Sequence, residues 1–290
     1  MKKNNYLNKI NEIKESHLFE KPINNFSSTR CKKCFKKCRL LRASKEDLEK
    51  NKHLLKKFTR KKVGLAGITN NLWEPNSTLK VGFDFSDYCV PSNLRSEFIN
   101  QILAIAGEWS LHGSIQLTYE KNKSNCDIVI GFKSHKGTYS YLGTDSLILI
   151  SKGKNSMNID PTWVSSLWDL DKESTNFYRI YTQHAIKHEF GHALGFIHEH
   201  QRADRPFHWD KEWMRANFDQ LGLPTWASVR SNYIIKEDMV NLTYGNYDFK
   251  SIMNYDWVAD ATIEKIASNL EDILNISNKD KNQMEVLYPF

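Results

Sequence analysis

His188-Glu189-Phe190-Gly191-His192-Ala193-Leu194-Gly195-Phe196-Ile197-His198-Glu199 is the stretch that decides how the rest of the chain is read. His188 and His192 are four residues apart, so on a helix they share one face about a turn apart. Two imidazoles on one face can clamp one Zn²⁺. Glu189 stands beside them, placed to take a proton from a metal-bound water. Gly195 comes three residues after His192, where a helix can end at positive φ. The chain can then turn back and bring His198 to the metal as a third ligand. Three protein ligands leave one position for water or substrate, which marks a catalytic rather than a structural site. The plain alternative is a helix with satisfied surface histidines. The fixed spacing of Gly195, His198 and Glu199 weighs against it.

A second stretch lies downstream, Tyr247-Asp248-Phe249-Lys250-Ser251-Ile252-Met253-Asn254-Tyr255. Together the two resemble the metzincin metallopeptidases, whose pattern is H-E-x-x-H-x-x-G-x-x-H followed by a Met-turn. The Glu after the third His resembles the astacin branch. The resemblance implies an α+β, two-lobed zinc peptidase domain with a mixed twisted sheet, a long active-site helix and a Met-turn. It implies one zinc per chain on His188, His192 and His198, with Glu189 as the general base. Tyr255 would swing between the zinc and the transition state, and Met253 would form an apolar floor without ligating. Glu199 would help anchor the new N-terminus of a processed chain. The family's usual residue between Met253 and Tyr255 is His, and here it is Asn254. A serralysin or matrixin is the runner-up within the clan.

The net charge of +7 is unevenly spread over the 290 residues. Residues 1–62 hold 20 Lys+Arg against 6 Asp+Glu, and residues 63–290 hold 21 against 28. The basic character therefore belongs to the N-terminal fifth. A polybasic arm can bind nucleic acid or an anionic membrane, or dock on its own acidic domain. The domain expectation is a basic arm or pro-segment over 1–62 and an astacin-like catalytic domain over 63–290. Docking would make the arm an intramolecular inhibitor, and Arg60-Lys61-Lys62 marks a site for a trypsin-like cut.

Cys31, Cys34 and Cys38 crowd the arm without a fourth ligand at metal-site spacing. They read as free thiols or as the source of one thiolate cap on zinc. Cys89 and Cys126 could pair. Secreted astacin domains carry two disulfides, and the positions aligned with those cysteines are not Cys here. That loss fits reducing conditions. No apolar run is long enough to span a membrane, and no apolar core follows the basic start of a signal peptide. Unconventional secretion, translocation and cytoplasmic retention all stay open.

Hydrophobic pattern supplies the remaining elements. Residues 79–85, 115–119 and 127–132 alternate or run apolar as strands, and 91–109 carries a helical stripe. Gly137–Gly143 followed by Leu147–Ile150 resembles the astacin edge strand above the cleft, able to pair an extended peptide. Thr175 to His192 reads as the active-site helix, residues 206–250 as a second lobe of loops and short helices, and Ile263 to Leu274 as a helix. In the arm, Leu40-Leu41 and Leu54-Leu55 suggest one or two helical segments. The function expected is zinc-dependent peptide hydrolysis on a protein or peptide substrate. The alternative is a non-catalytic zinc-containing peptide-binding protein.

Overall fold

Ile128-Val129-Ile130-Gly131 is buried along its whole length, which places it inside a sheet covered on both faces. The computed structural model describes residues 39–55, 71–88, 90–134, 136–164, 167, 175–202, 204–221, 225–234 and 246–290. In chain order the strands are β1 (Arg39–Leu41), β2 (Thr78–Asp84), β3 (Gln116–Tyr119), β4 (Ile128–Gly131), β5 (Tyr139–Tyr141) and β6 (Met157–Asn158). The helices are α1 (Lys45–Lys50), α2 (Lys52–Leu55), α3 (Arg95–Ala106), α4 (Asp145–Ser151), α5 (Pro161–Val164), α6 (Thr175–Ala193), α7 (Lys211–Ala216), α8 (Trp226–Tyr233) and α9 (Asn278–Leu287). The described residues all fall within one compact unit.

The six strands make one mixed sheet in the order β1-β5-β6-β4-β2-β3. β3, β2, β4 and β6 are parallel, β5 is antiparallel to β6, and β1 is parallel to β5. Phe98, Ile99, Ile102, Leu103 and Ala106 form the buried stripe of α3, which packs against α6 and the sheet. The main core fills the space between sheet, α3 and α6, and includes Trp73, Trp109, Phe132, Phe190 and Met253. A second core is largely aromatic and sits in the C-terminal part: Phe207, Trp209, Tyr233, Tyr247, Tyr255 and Trp257 pack together. Two cores of this kind are the two lobes that the zinc motif implied.

Three sequence expectations change here. Leu147–Ile150 is not a strand but lies within α4, where Ile148 faces inward against Ala43 and Leu48. Ile263–Leu274 is not one helix. Lys265 has φ +57 and Ser268 bridges to Trp257, so the chain bends through the region and only Leu270–Ile273 makes a 3₁₀ turn. Leu40-Leu41 belongs to a strand rather than a helix, because β5 offers its backbone edge, with Arg39 opposite Tyr139 and Leu41 opposite Tyr141. That edge is therefore occupied, not free. The helical reading of the arm holds for α1 and α2. Cys126 is a buried free thiol, so it does not pair. Cys89, Cys31, Cys34, Cys38, the Arg60-Lys61-Lys62 cluster and the 62/63 boundary lie outside the described residues. Among the described residues no helix is long and apolar enough to cross a membrane.

Candidate metal and catalytic centre

The helix α6 carries His188, Glu189 and His192 into the space between the two cores, and all three are fully buried. Its end is built by Gly195, at φ +99. Phe196 N donates to Gly191 O and Gly195 N to His192 O, which closes the last turn. A Cβ on Gly195 would also come within 2.5 Å of Leu72, so the turn needs glycine on both counts. The reversed chain brings His198 back against the helix.

His188, His192 and His198 each offer a ring nitrogen, and these nitrogens lie within 4.8 Å of one another. Each ring's other nitrogen is already engaged. His188 Nδ1 donates to Ile252 O at 2.7 Å, His192 Nδ1 to Phe196 O at 2.7 Å, and His198 Nδ1 to Gln201 Oε1 at 3.0 Å. An oxygen of this kind can only accept, so Nδ1 holds the proton and Nε2 presents a lone pair. His192 and His198 bring their Nε2 atoms to 3.1 Å, and His188 Nε2 is buried with no hydrogen-bond partner among the described residues. Three converging lone pairs, one of them orphaned, are a donor set for a cation of the zinc type. Burial holds all three imidazoles well below the usual histidine pKa, His192 at about 4, so they are neutral at physiological pH.

The Met-turn lies beneath. Met253 is buried, and its sulfur lies against Gly191, where a Cβ would be 2.4 Å away. Tyr255 is buried with its ring centroid 4.4 Å from that of His198 and 6.0 Å from that of His188. Asn254, in the position usual for His, receives Tyr247 Oη–H on its side-chain oxygen and donates to Asp248 O. Glu199 joins the two motifs. Its N–H donates to Met253 O, and its carboxylate accepts from Arg202 Nη1 and Asp248 N, each at 2.9 Å. Burial raises the Glu199 pKa to about 7 against the pull of Arg202.

All seven residues named from the sequence are described. The three histidines, Met253 and Tyr255 surround one centre, with Glu189 next in sequence to His188 on α6. Glu199 sits to the side, tied to the turn. His200 and His208 stay out of the triad: His200 is bonded to Asn232 O, and His208 to Glu264 near the surface. Above the centre, Gly143 N donates to His192 O at 2.9 Å and so ties the end of β5 to the metal helix. Gly143 has φ +47, and a Cβ there would collide with Asn71 O at 1.7 Å.

Residues 180–288 match the family model described as Astacin, a peptidase family. Over this stretch, from within α6 to the end of α9, the chain is astacin-like. Meprin A subunit beta of Rattus norvegicus is 32% identical over 250 residues, covering 77% of this chain and 31% of the relative. Zinc metalloproteinase nas-6 of Caenorhabditis elegans is 36% identical over 94 residues, covering 31% of this chain and 25% of the relative. The chain thus spans between a quarter and a third of the length of these curated relatives. A solved structure of myroilysin superposes with a TM-score of 0.59 at 27% identity, covering 76% of this chain and 96% of that one.

Two contributors to the astacin-like site had no assigned role in the sequence reading. Gln201 orients His198, and nothing in its spacing announces that. Asp280 holds the Met-turn from α9, and the Ser277-x-x-Asp280 capping box was the available signal.

Proposed function

We propose that the chain is a zinc-dependent endopeptidase that cuts protein or peptide substrates. The observation that carries this reading is the set of three neutral imidazoles whose outer nitrogens are all engaged, leaving the inner ones to converge. His188, His192 and His198 would hold the zinc. Zinc at such a site lowers the pKa of water toward neutrality and polarises a peptide carbonyl. Glu189 takes the proton of the attacking water and hands it to the leaving amine. The Tyr255 hydroxyl donates to the oxyanion as it forms. Met253 closes the floor and keeps water from the far side of the ligands.

The N-terminal arm restrains this site. Support comes from β1, which lines the edge of β5 that an extended substrate would use. The arm is fixed there by Ala43 N donating to Asp145 Oδ2 at 2.9 Å, by Arg42 at 3.7 Å from the same oxygen, and by Leu48 packed on α4. Trypsin-like cutting in the Arg60-Lys61-Lys62 cluster would free it.

The test is zinc content with casein hydrolysis on the full chain, before and after limited trypsin treatment, for the parent and Glu189→Ala. The parent should bind one zinc and cut casein once treated. Glu189→Ala should keep the zinc and lose at least roughly 10²-fold in rate. A Glu189→Ala protein that cuts at the parent rate sinks the mechanism. A zinc-loaded, treated parent that cuts nothing puts the peptide-binding reading ahead.

A further inference from the structure

We propose that Asp280 is a positioning residue for the metal centre, acting through the Met-turn on His188. The proposal rests on the reading of His188 as a zinc ligand.

Asp280 lies in the first turn of α9, far from the zinc motif in sequence, and is buried at 4% exposure. A buried carboxylate is costly unless its oxygens are used. Here both are. Oδ1 accepts from Ser251 Oγ at 2.7 Å, and Oδ2 accepts from Ile252 N at 2.9 Å and Ser277 N at 3.0 Å. Two of these three donors belong to the Met-turn, not to the helix that Asp280 caps. Ser251 Oγ in turn accepts from Met253 N at 3.1 Å. The carboxylate therefore fixes Ser251, Ile252 and Met253 together.

Ile252 is where this reaches the metal. Its N–H is held by Asp280, and its carbonyl accepts the 2.7 Å bond from His188 Nδ1. That bond sets the tautomer and the ring plane of the first ligand. Asp280 thus acts on the histidine one residue removed, by pinning the backbone that pins the ring. A simple helix cap would need only Ser277. The Asp280 side chain accepts from Ser277 N while Ser277 Oγ accepts from Asp280 N at 3.0 Å, and those bonds complete the capping box alone. The contacts to Ser251 and Ile252 go beyond what capping requires.

The readout is zinc affinity by chelator competition on the full chain, with the absorption spectrum of the cobalt-substituted protein as a second signal. Variants are Asp280→Ala, Asp280→Asn and the control Ser277→Ala, each checked for parent-like circular dichroism. Asp280→Ala should bind zinc roughly tenfold more weakly, the low end of the range for losing a ligand's direct partner because Asp280 acts one bond further out, and shift the cobalt bands. Asp280→Asn keeps one oxygen but loses the charge, and should weaken binding roughly threefold or more. Ser277→Ala removes the capping hydroxyl and its bond to Asp248 and should stay within about twofold of the parent, since Asp280 keeps its bonds to Ser251 and Ile252. Should Asp280→Ala not fold, Asp280→Asn decides. Parent-like affinity in a folded Asp280 variant overturns the proposal, and so does a Ser277→Ala loss as large as that of Asp280→Ala. A parent chain that binds no zinc overturns the proposed function instead.

Discussion

Gly191 and the sulfur of Met253 touch: a Cβ on the glycine would stand 2.4 Å from Sδ and 3.1 Å from the Trp109 ring. The third residue between the two helix-borne histidines is thus a glycine because the Met-turn lies against the helix there. Gly191→Ala would force Met253 or the helix to shift. It should destabilise the fold by about 1–3 kcal/mol, read by urea unfolding. A variant as stable as the parent would mean that Met253 moves aside without strain.

Tyr255 packs its ring on His198 and His200 at centroid distances of 4.4 and 4.5 Å. Tyr255→Phe keeps that packing and deletes the hydroxyl. The expected result is a roughly 10²-fold fall in kcat with KM and zinc content close to the parent. An unchanged kcat would reduce Tyr255 to a wall of the site.

The arm's hold on the sheet can be loosened at one atom. Ala43→Pro removes the N–H that Asp145 accepts and leaves a fully buried carboxylate short of one donor. The loss is on the order of 1–3 kcal/mol, set against docking of the arm alone. Untreated Ala43→Pro protein should cut casein faster than the untreated parent and lose the arm sooner to trypsin. Equal rates would show that β1 does not restrain the site.

Cys126 provides a pH prediction. Burial, reinforced by the carboxylates of Glu120 and Asp127, pushes its pKa from 9.0 up to about 11. The folded state therefore holds the thiol proton more tightly than the unfolded state between those values. This contribution to stability is full below pH 9 and is lost as pH rises toward 11. At about pH 8 the native thiol should resist iodoacetamide and become reactive on unfolding, followed by peptide mass spectrometry. Rapid labelling of Cys126 in native protein would contradict the burial.

Much of the site was legible because it is local. His188, His192 and Gly195 obey helix period and helix ending within one short stretch, and β2, β4, α3 and α6 carry their own apolar pattern. What escaped was decided by partners distant in sequence. Leu147–Ile150 is an unbroken apolar run, which period cannot assign, and it became helical where Ile148 meets Ala43 of the arm. Arg39–Leu41 has no strand pattern of its own and takes its form from β5. Residues 263–274 have helical spacing, yet the Trp257–Ser268 bridge and the left-handed Lys265 override it. Asp280 had no role in the sequence reading, because its reach to Ile252 needs the chain to fold back.

The bond from Gly143 N to His192 O has one more consequence. Once β1 has left its edge, an extended peptide laid on β5 would be held by main-chain atoms, and β5 is itself tied by main-chain atoms to α6. Under the proposed function, the offset between where a substrate is gripped and where it is cut would be a fixed count of backbone steps, like a ruler clamped at one end. Side chains along the cleft could be exchanged to favour different residues without moving the blade. Under the proposed function, the residues lining the cleft and the bond that is cut would be separate variables, the second tied to the backbone at Gly143.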